Sequence, residues 1–244
     1  MPSFEISAGV LAASLVAVAL GTVVQGSIGF GLALVVVPTL TLLIPESLPG
    51  TVLLISLPSA VGLGLRERGA IDGPQVLYSS IGRVFGAVGG VWLLALFRDD
   101  SLAVLVGVLI LVAVALSAFR PRLEVGVALG VGAGFASGVM GTAAGVGGPA
   151  MALAYQNLPG PKLRSTIAAS FAIGTGISLA ALIPSGTIHA WHLVFALELL
   201  PGVAAGLWLS GRTARLLDGG WLRGAVLVFA TVGGALAVVK GLLG

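Results

Sequence analysis

The feature that most limits what this chain can become is its long apolar runs without alternation. One of them, "LLALFRDDSLAVLVGVLILVAVALSAF", is interrupted only by Arg98, Asp99, Asp100 and Ser101. Segments this apolar are solvated by lipid, where only α-helices and closed barrels satisfy every backbone hydrogen bond. Barrel strands alternate polar and apolar side chains. These runs do not, so the chain reads as an all-α polytopic membrane protein. Composition agrees, with 57% hydrophobic and 9% charged residues against about 25% charged in a soluble domain. The absence of cysteine excludes disulfides and thiolate chemistry, and no cofactor or metal is expected. The net charge of +3 does not call for nucleic acid, because the basic residues sit in short loops and act as topology signals. "MPSFEISAG" lacks a basic n-region and its apolar stretch outruns an h-region, so it is expected to stay in the mature protein.

Polar connections divide a single transmembrane domain, residues 1–244, into ten elements near 7–25, 31–44, 50–65, 74–97, 101–119, 124–141, 148–157, 164–184, 191–209 and 220–242. Two halves, about 7–119 and 124–242, resemble each other. Gly26-Ser27 matches Gly141-Thr142, Thr51 matches Thr166, Gly86 and Gly90 match Gly202 and Gly206, and Gly69-Ala70-Ile71 matches Gly186-Thr187-Ile188. Lys and Arg concentrate in alternate loops: Arg66 and Arg68, Arg120 and Arg122, Lys162 and Arg164, Arg212 and Arg215. The loops between them ("PESLPG", "RDDS", "PSGTIHA") are poor in these residues. The positive-inside rule then puts the first set in the cytoplasm and both termini outside. Five elements per half invert the second copy, a common plan of secondary transporters. Elements 31–44 and 148–157 would rise only roughly 21 and 15 Å against a hydrocarbon core of about 30 Å. Spanning and re-entrant courses both remain open for them.

Each short element follows a glycine cluster, "GSIGFG" (26–31) and "GTAAGVGG" (141–148). A break leaves the first N–H groups of the next helix unpaired, at the positive end of its dipole. Such ends bind anions, and irregular backbone at depth is tolerated where it lines a cavity. The expected substrate-binding set is Gln25, Gly26, Ser27, Gly29, Gly31, Gly141, Thr142, Gly145, Gly147 and Gly148, with the Ser27 and Thr142 hydroxyls as extra donors. Arg83 and Glu198 are lone charges inside apolar elements. Intramembrane charges face a cavity or a partner, so Arg83 is expected to bind the anion, and Glu198 to pair with it or carry a coupling ion. The glycines at 86–90 and 202–206 are expected to pack helices. His189, Trp191, His192 and Trp221 are read as interfacial, and Tyr155, Gln156 and Asn157 as a surface cap.

These residues resemble the TauE/SafE family of sulfite exporters and sulfonate permeases. The resemblance rests on "GSIGFGLALVVVPTL" (26–40), "GVMGTAAGVGGPAMAL" (138–153), "RVFGAVGG" (83–90) and "LPGVAAG" (200–206). The family shows a run of three glycines at the break; this chain has Gly29-Phe30-Gly31 in one copy and Gly147-Gly148-Pro149 in the other. The resemblance implies a carrier in the bacterial inner membrane for a small anion, such as sulfite, a sulfonate or a related carboxylate. Its partners would be that anion, the lipid bilayer and a coupling proton or sodium ion, and a homodimer is compatible with it. An anion channel is the main alternative. An intramembrane hydrolase is the weakest: "FASG" (135–138) with His189 has Phe135 where a serine nucleophile motif needs glycine.

Overall fold

A computed structural model describes residues 6–97, 101–119, 123–217 and 221–243, with backbone alone for 213–217. Among these residues the chain is helical throughout, with no strand. The helices are α1 (Ala8–Ile28), α2 (Leu32–Leu43), α3 (Gly50–Arg66), α4 (Gly73–Leu96), α5 (Leu102–Ala118), α6 (Val127–Ala144), α7 (Gly148–Tyr155), α8 (Gly160–Leu182), α9 (Ala190–Leu217) and α10 (Trp221–Leu243). Six of them (α1, α4, α6, α8, α9 and α10) are long and apolar enough to cross a membrane. The topology signals Arg98, Asp99, Asp100, Arg120, Arg122 and the Arg215 side chain lie outside the described residues.

Polarity is turned inside out relative to a soluble protein. Phe85, Val88 and Trp92 of α4 and Leu236 and Val239 of α10 point outward, while Ser14, Gln25, Ser79, Ser137, Thr166 and Ser178 are buried. Lipid outside and a polar interior account for this arrangement.

Small residues let helices meet backbone to backbone. A methyl at Gly86 of α4 would lie 2.2 Å from Phe135 O of α6, and one at Gly206 of α9 would lie 2.6 Å from Ala19 O of α1. These are the glycines read from sequence as packing positions. The main pairings are α4 with α6, α9 with α1, α4 with α8, α9 with α3, α5 with α10 and α3 with α8. Exchanging α1–α5 for α6–α10 returns the same set of pairings. Each half therefore packs its fourth helix on the first helix of the other half, so neither half buries its apolar faces alone.

The two breaks are shorter than the glycine clusters that announce them. Helix α1 runs through Gly26 and Ser27 to Ile28, and α6 runs through Gly141 and Thr142 to Ala144. The unwound residues are Gly29-Phe30-Gly31 and Gly145-Val146-Gly147. Each break is three residues long, with a glycine at either end. Glycine costs only about 1 kcal/mol inside a helix. Gly138 and Gly141 lie within α6, where the α4 backbone and the Arg83 side chain occupy the space a side chain would need. Left-handed glycines terminate both helices, at Gly29 (φ 91°) and Gly145 (φ 76°).

Candidate functional site

Arg83 is the eleventh of the 24 residues of α4, near its middle, and is 2% exposed. Its guanidinium donates from Nη1 to Ser137 Oγ on α6 at 2.7 Å and lies 5.7 Å from the centre of the Phe171 ring on α8. Its Nε has no hydrogen-bond partner, and no carboxylate pairs with it among the described residues. Glycines make room for it on three sides. A methyl at Gly174 would lie 2.0 Å from Nε, one at Gly141 3.0 Å from Nη2, and one at Gly147 3.2 Å from Nη1. A buried guanidinium with an unpartnered Nε and no counter-charge is an electrostatically unfinished arrangement.

Beside it is a cavity of about 30 Å3, room for about one or two water molecules. Gln25 and Gly31 from the first break region, and Gly141, Gly145, Gly147 and Gly148 from the second, share its wall with Arg83. The starts of α2 and α7 both reach it, through Leu32 and Ala33 in one and Gly148 in the other. Neither helix has a side chain capping its first N–H groups, so both leave orphan donors at this cavity. Leu53 and Ser56 of α3, with Phe171 and Thr175 of α8, complete the wall.

The sequence reading missed those four, and Leu32 and Ala33 as well. Its signal for α8 was the polar run "STIAASFAIGTGIS", in which Ser165, Thr166, Ser170, Thr175 and Ser178 are all buried. Gly26, Ser27, Gly29 and Thr142 do not line the cavity. The Ser27 hydroxyl donates to Val23 O at 2.8 Å and that of Thr142 to Ser178 Oγ at 2.8 Å, so neither hydroxyl is a spare donor. Both residues sit in helical turns, where a hydroxyl bonds its own helix or a neighbour. Gly26 gives its carbonyl to Arg66 Nη2 at 2.8 Å, and Gly29 lies under the Arg164 side chain.

Glu198 is the clearest departure. It is exposed on α9, which packs on α1 and α3 rather than on α4, and no ion pair joins it to Arg83. Equivalent depth in two halves does not bring side chains together when each fourth helix docks on the opposite half. Tyr155 is also misread as a surface cap. It is fully buried and donates to Gln75 O at 3.1 Å, because α7 is too short to carry its end to the surface. His192, in the first turn of α9, is 2% exposed; its Nδ1 accepts from His189 N at 3.0 Å and its Nε2 bonds Glu46 O at 3.1 Å. Trp221 is 63% exposed, as an interface anchor is. Ser137, the serine of the hydrolase alternative, is fully buried against Arg83 and has no histidine beside it.

The two ends of the bundle differ. Around the end of α3, Glu67 bonds Arg164 Nε at 3.1 and 3.2 Å, Arg66 Nη1 bonds Ser210 Oγ at 2.8 Å, and Lys162 pairs with Asp72 at 2.8 Å. The Lys162 ammonium, ahead of burial in effect, holds the Asp72 carboxyl below its usual range, helped by the Gln75 N–H. At the other end, about 25 Å away along the 17 residues of α3, Pro45–Leu48, the end of α4 and residues 185–192 enclose a cavity of about 830 Å3. One end is clasped by charges and the other is hollow.

A family model described as "Sulfite exporter TauE/SafE" matches residues 13–237, nearly the whole chain. No curated protein and no solved structure matches it.

Proposed function

The chain belongs to the sulfite exporter TauE/SafE family and is therefore a membrane transporter rather than an enzyme; on that premise we propose that it carries a small anion by alternating access, binding it at Arg83 between the starts of α2 and α7. The observation that carries this reading is the Arg83 guanidinium itself: buried, without a counter-charge, with Nε unpartnered, on a residue that lines the cavity. An arginine in that position stabilises an oxyanion through planar paired donors. The helix starts add backbone N–H groups and partial positive charge from two directions. The cavity is too narrow for a sulfonate until neighbouring helices separate, which fits a carrier that exposes its site to one side at a time.

Alternating access draws support from the exchange symmetry of the packing, from the matching breaks at 29–31 and 145–147, and from the contrast between the clasped and hollow ends. With the positive-inside rule, the end bearing Arg66, Arg68, Lys162 and Arg164 is cytoplasmic, and both termini are external in a bacterial inner membrane. Because the chain has no cysteine, single cysteines placed at either end report this orientation directly with an impermeant thiol reagent.

The deciding experiment screens oxyanions and sulfonates against purified protein by thermal shift, since a ligand that binds only the folded state raises its apparent stability. Flux into proteoliposomes follows for any that bind. Saturable, gradient-coupled flux that Arg83→Gln abolishes supports the carrier; flux unchanged in that variant removes Arg83 from the site. Single-channel currents would establish a channel instead.

A further inference from the structure

The Arg83 cavity contains one formal charge, and that count constrains the ligand as well as attracting it. Of the residues that line it, Arg83 alone is ionisable; Gln25, Ser56 and Thr175 supply the polar side chains, and Leu32, Ala33, Leu53 and Phe171 the apolar wall. The helices that line it add no second charge to the wall; Arg223 of α10, 6.0 Å from the centre of the Phe30 ring, bonds Ser117 O and does not line the cavity. Helices α1, α2 and α6 have no ionisable residue along their whole lengths. On α4 the others are Tyr78 and the capping Asp72, which Lys162 neutralises. On α7 the Tyr155 phenol is bonded to Gln75 O. The Arg66 of α3 and the Arg164 of α8 lie at the clasped end, beside Glu67.

We propose that this cavity takes its substrate as a monoanion, and that a proton moved along with it travels on the substrate's own oxygen rather than on a side chain. The inference rests on Arg83 being the substrate site. Its first part follows from charge balance: a monoanion neutralises the guanidinium, whereas a dianion leaves one negative charge in a dry interior, which is heavily penalised. The helix starts temper this penalty without removing it, because each carries only about half a unit of charge, offset by the opposite pole of a short helix. The second part follows from chemistry: no carboxylate or imidazole lines the cavity, so nothing there picks up a proton near neutral pH except an anion that is itself a weak acid. An alkanesulfonate qualifies at any pH. Sulfite qualifies in its hydrogen form, and its apolar-substituted relatives place the substituent against Leu32, Ala33 and Leu53.

The test titrates the purified full-length protein with methanesulfonate, sulfate and methyl phosphate at about pH 5 and about pH 8, because a phosphomonoester passes from one negative charge to two at about pH 6. Methanesulfonate should bind equally at both pH values. Methyl phosphate should weaken by about tenfold or more at the higher pH, and sulfate should bind at least about tenfold more weakly than methanesulfonate throughout. Dianionic methyl phosphate or sulfate binding as tightly as methanesulfonate overturns the monoanion rule. Arg83→Gln and Gly174→Ala separate the two layers. Methanesulfonate binding that survives both variants, or that is absent from the native protein, overturns the site itself, whichever charge preference is seen.

Discussion

At the first break, Gly29 and Gly31 both adopt left-handed backbone, φ 91° and 124°, and Gly29 is overlaid by Arg164 from the clasped end of the bundle. At the second, only Gly145 is left-handed, while Gly147 has an ordinary φ of −81° and backs onto Ser137 and Arg83. Both breaks aim the start of a short helix at one cavity. Of the nearby cations only Arg83, beside the second, lines the cavity; Arg164 over Gly29 and Arg223 near Phe30 do not. The residue 116 positions after Arg83 is Leu199, which is fully buried among apolar neighbours. The cavity wall receives the start of a short helix from each break and a formal charge from one residue only. On the reading proposed above, the two breaks divide the work, one presenting helix N–H groups alone and the other N–H groups together with a guanidinium.

The sharpest way to break this comparison is to delete the charge and its counterpart in turn. Arg83→Gln should lower anion affinity and transport about 100-fold or more, the scale expected when a buried charged hydrogen-bond partner is lost, with membrane insertion unchanged on immunoblot. Leu199→Ala should do the reverse, costing about 2–5 kcal/mol of stability as a core cavity forms while leaving ligand-induced thermal shifts in place. Equal effects on binding would make the two halves equivalent after all.

Next in size is crowding around the guanidinium. Gly174→Ala puts a methyl where Arg83 Nε now lies and should cost about 1–3 kcal/mol in overpacking, with transport reduced about tenfold or more. Its counterpart 115 residues earlier, Ser59 of α3, has a buried hydroxyl without a partner. Ser59→Ala should be neutral or slightly stabilising in a melting experiment, because the change removes an unpaired polar group. A third contrast separates strain from function: Gly31→Ala forces a left-handed alanine against Val24 and should lower stability by about 1–3 kcal/mol. Gly147→Ala pays no such backbone penalty and should instead shift substrate affinity by pushing on Ser137 and Arg83.

The smallest effect concerns how each fourth helix begins. The α4 helix is capped by Asp72, which precedes it and accepts from Gln75 N, whereas at α9 the bond runs the other way, with His192 inside the first turn accepting from the N–H of His189 before it. Since Lys162 lowers the Asp72 pKa in the folded state, its contribution is complete above the unfolded value of about 3.9 and disappears as pH falls through the lower folded value. Asp72→Asn keeps the cap and loses the ion pair, so melting at neutral pH should show a loss of less than about 1 kcal/mol that vanishes in acid. A loss that persists in acid would assign the effect to the cap.

Much of this molecule follows from local properties of the chain. The apolar runs dictated helices in lipid, since no other open structure satisfies its backbone there. Loop residues marked where helices end, and nine of the ten elements lie within a few residues of their sequence limits; α9 runs eight residues beyond 209, to Leu217. The depth of Arg83 in an apolar helix already declared a buried charge in need of a cavity. Only the packed structure decided what surrounds that charge. Whether Ser27 and Thr142 are free donors depends on hydrogen bonds to Val23 and Ser178, and the separation of Glu198 from Arg83 depends on which helix α9 docks against. The places of Phe171 and Gly174 depend on the crossing of α8 with α4. Such contacts join residues far apart in the chain, and glycine, which sets how closely those helices approach, looks the same in sequence whether it ends a helix, packs one, or makes room for an arginine.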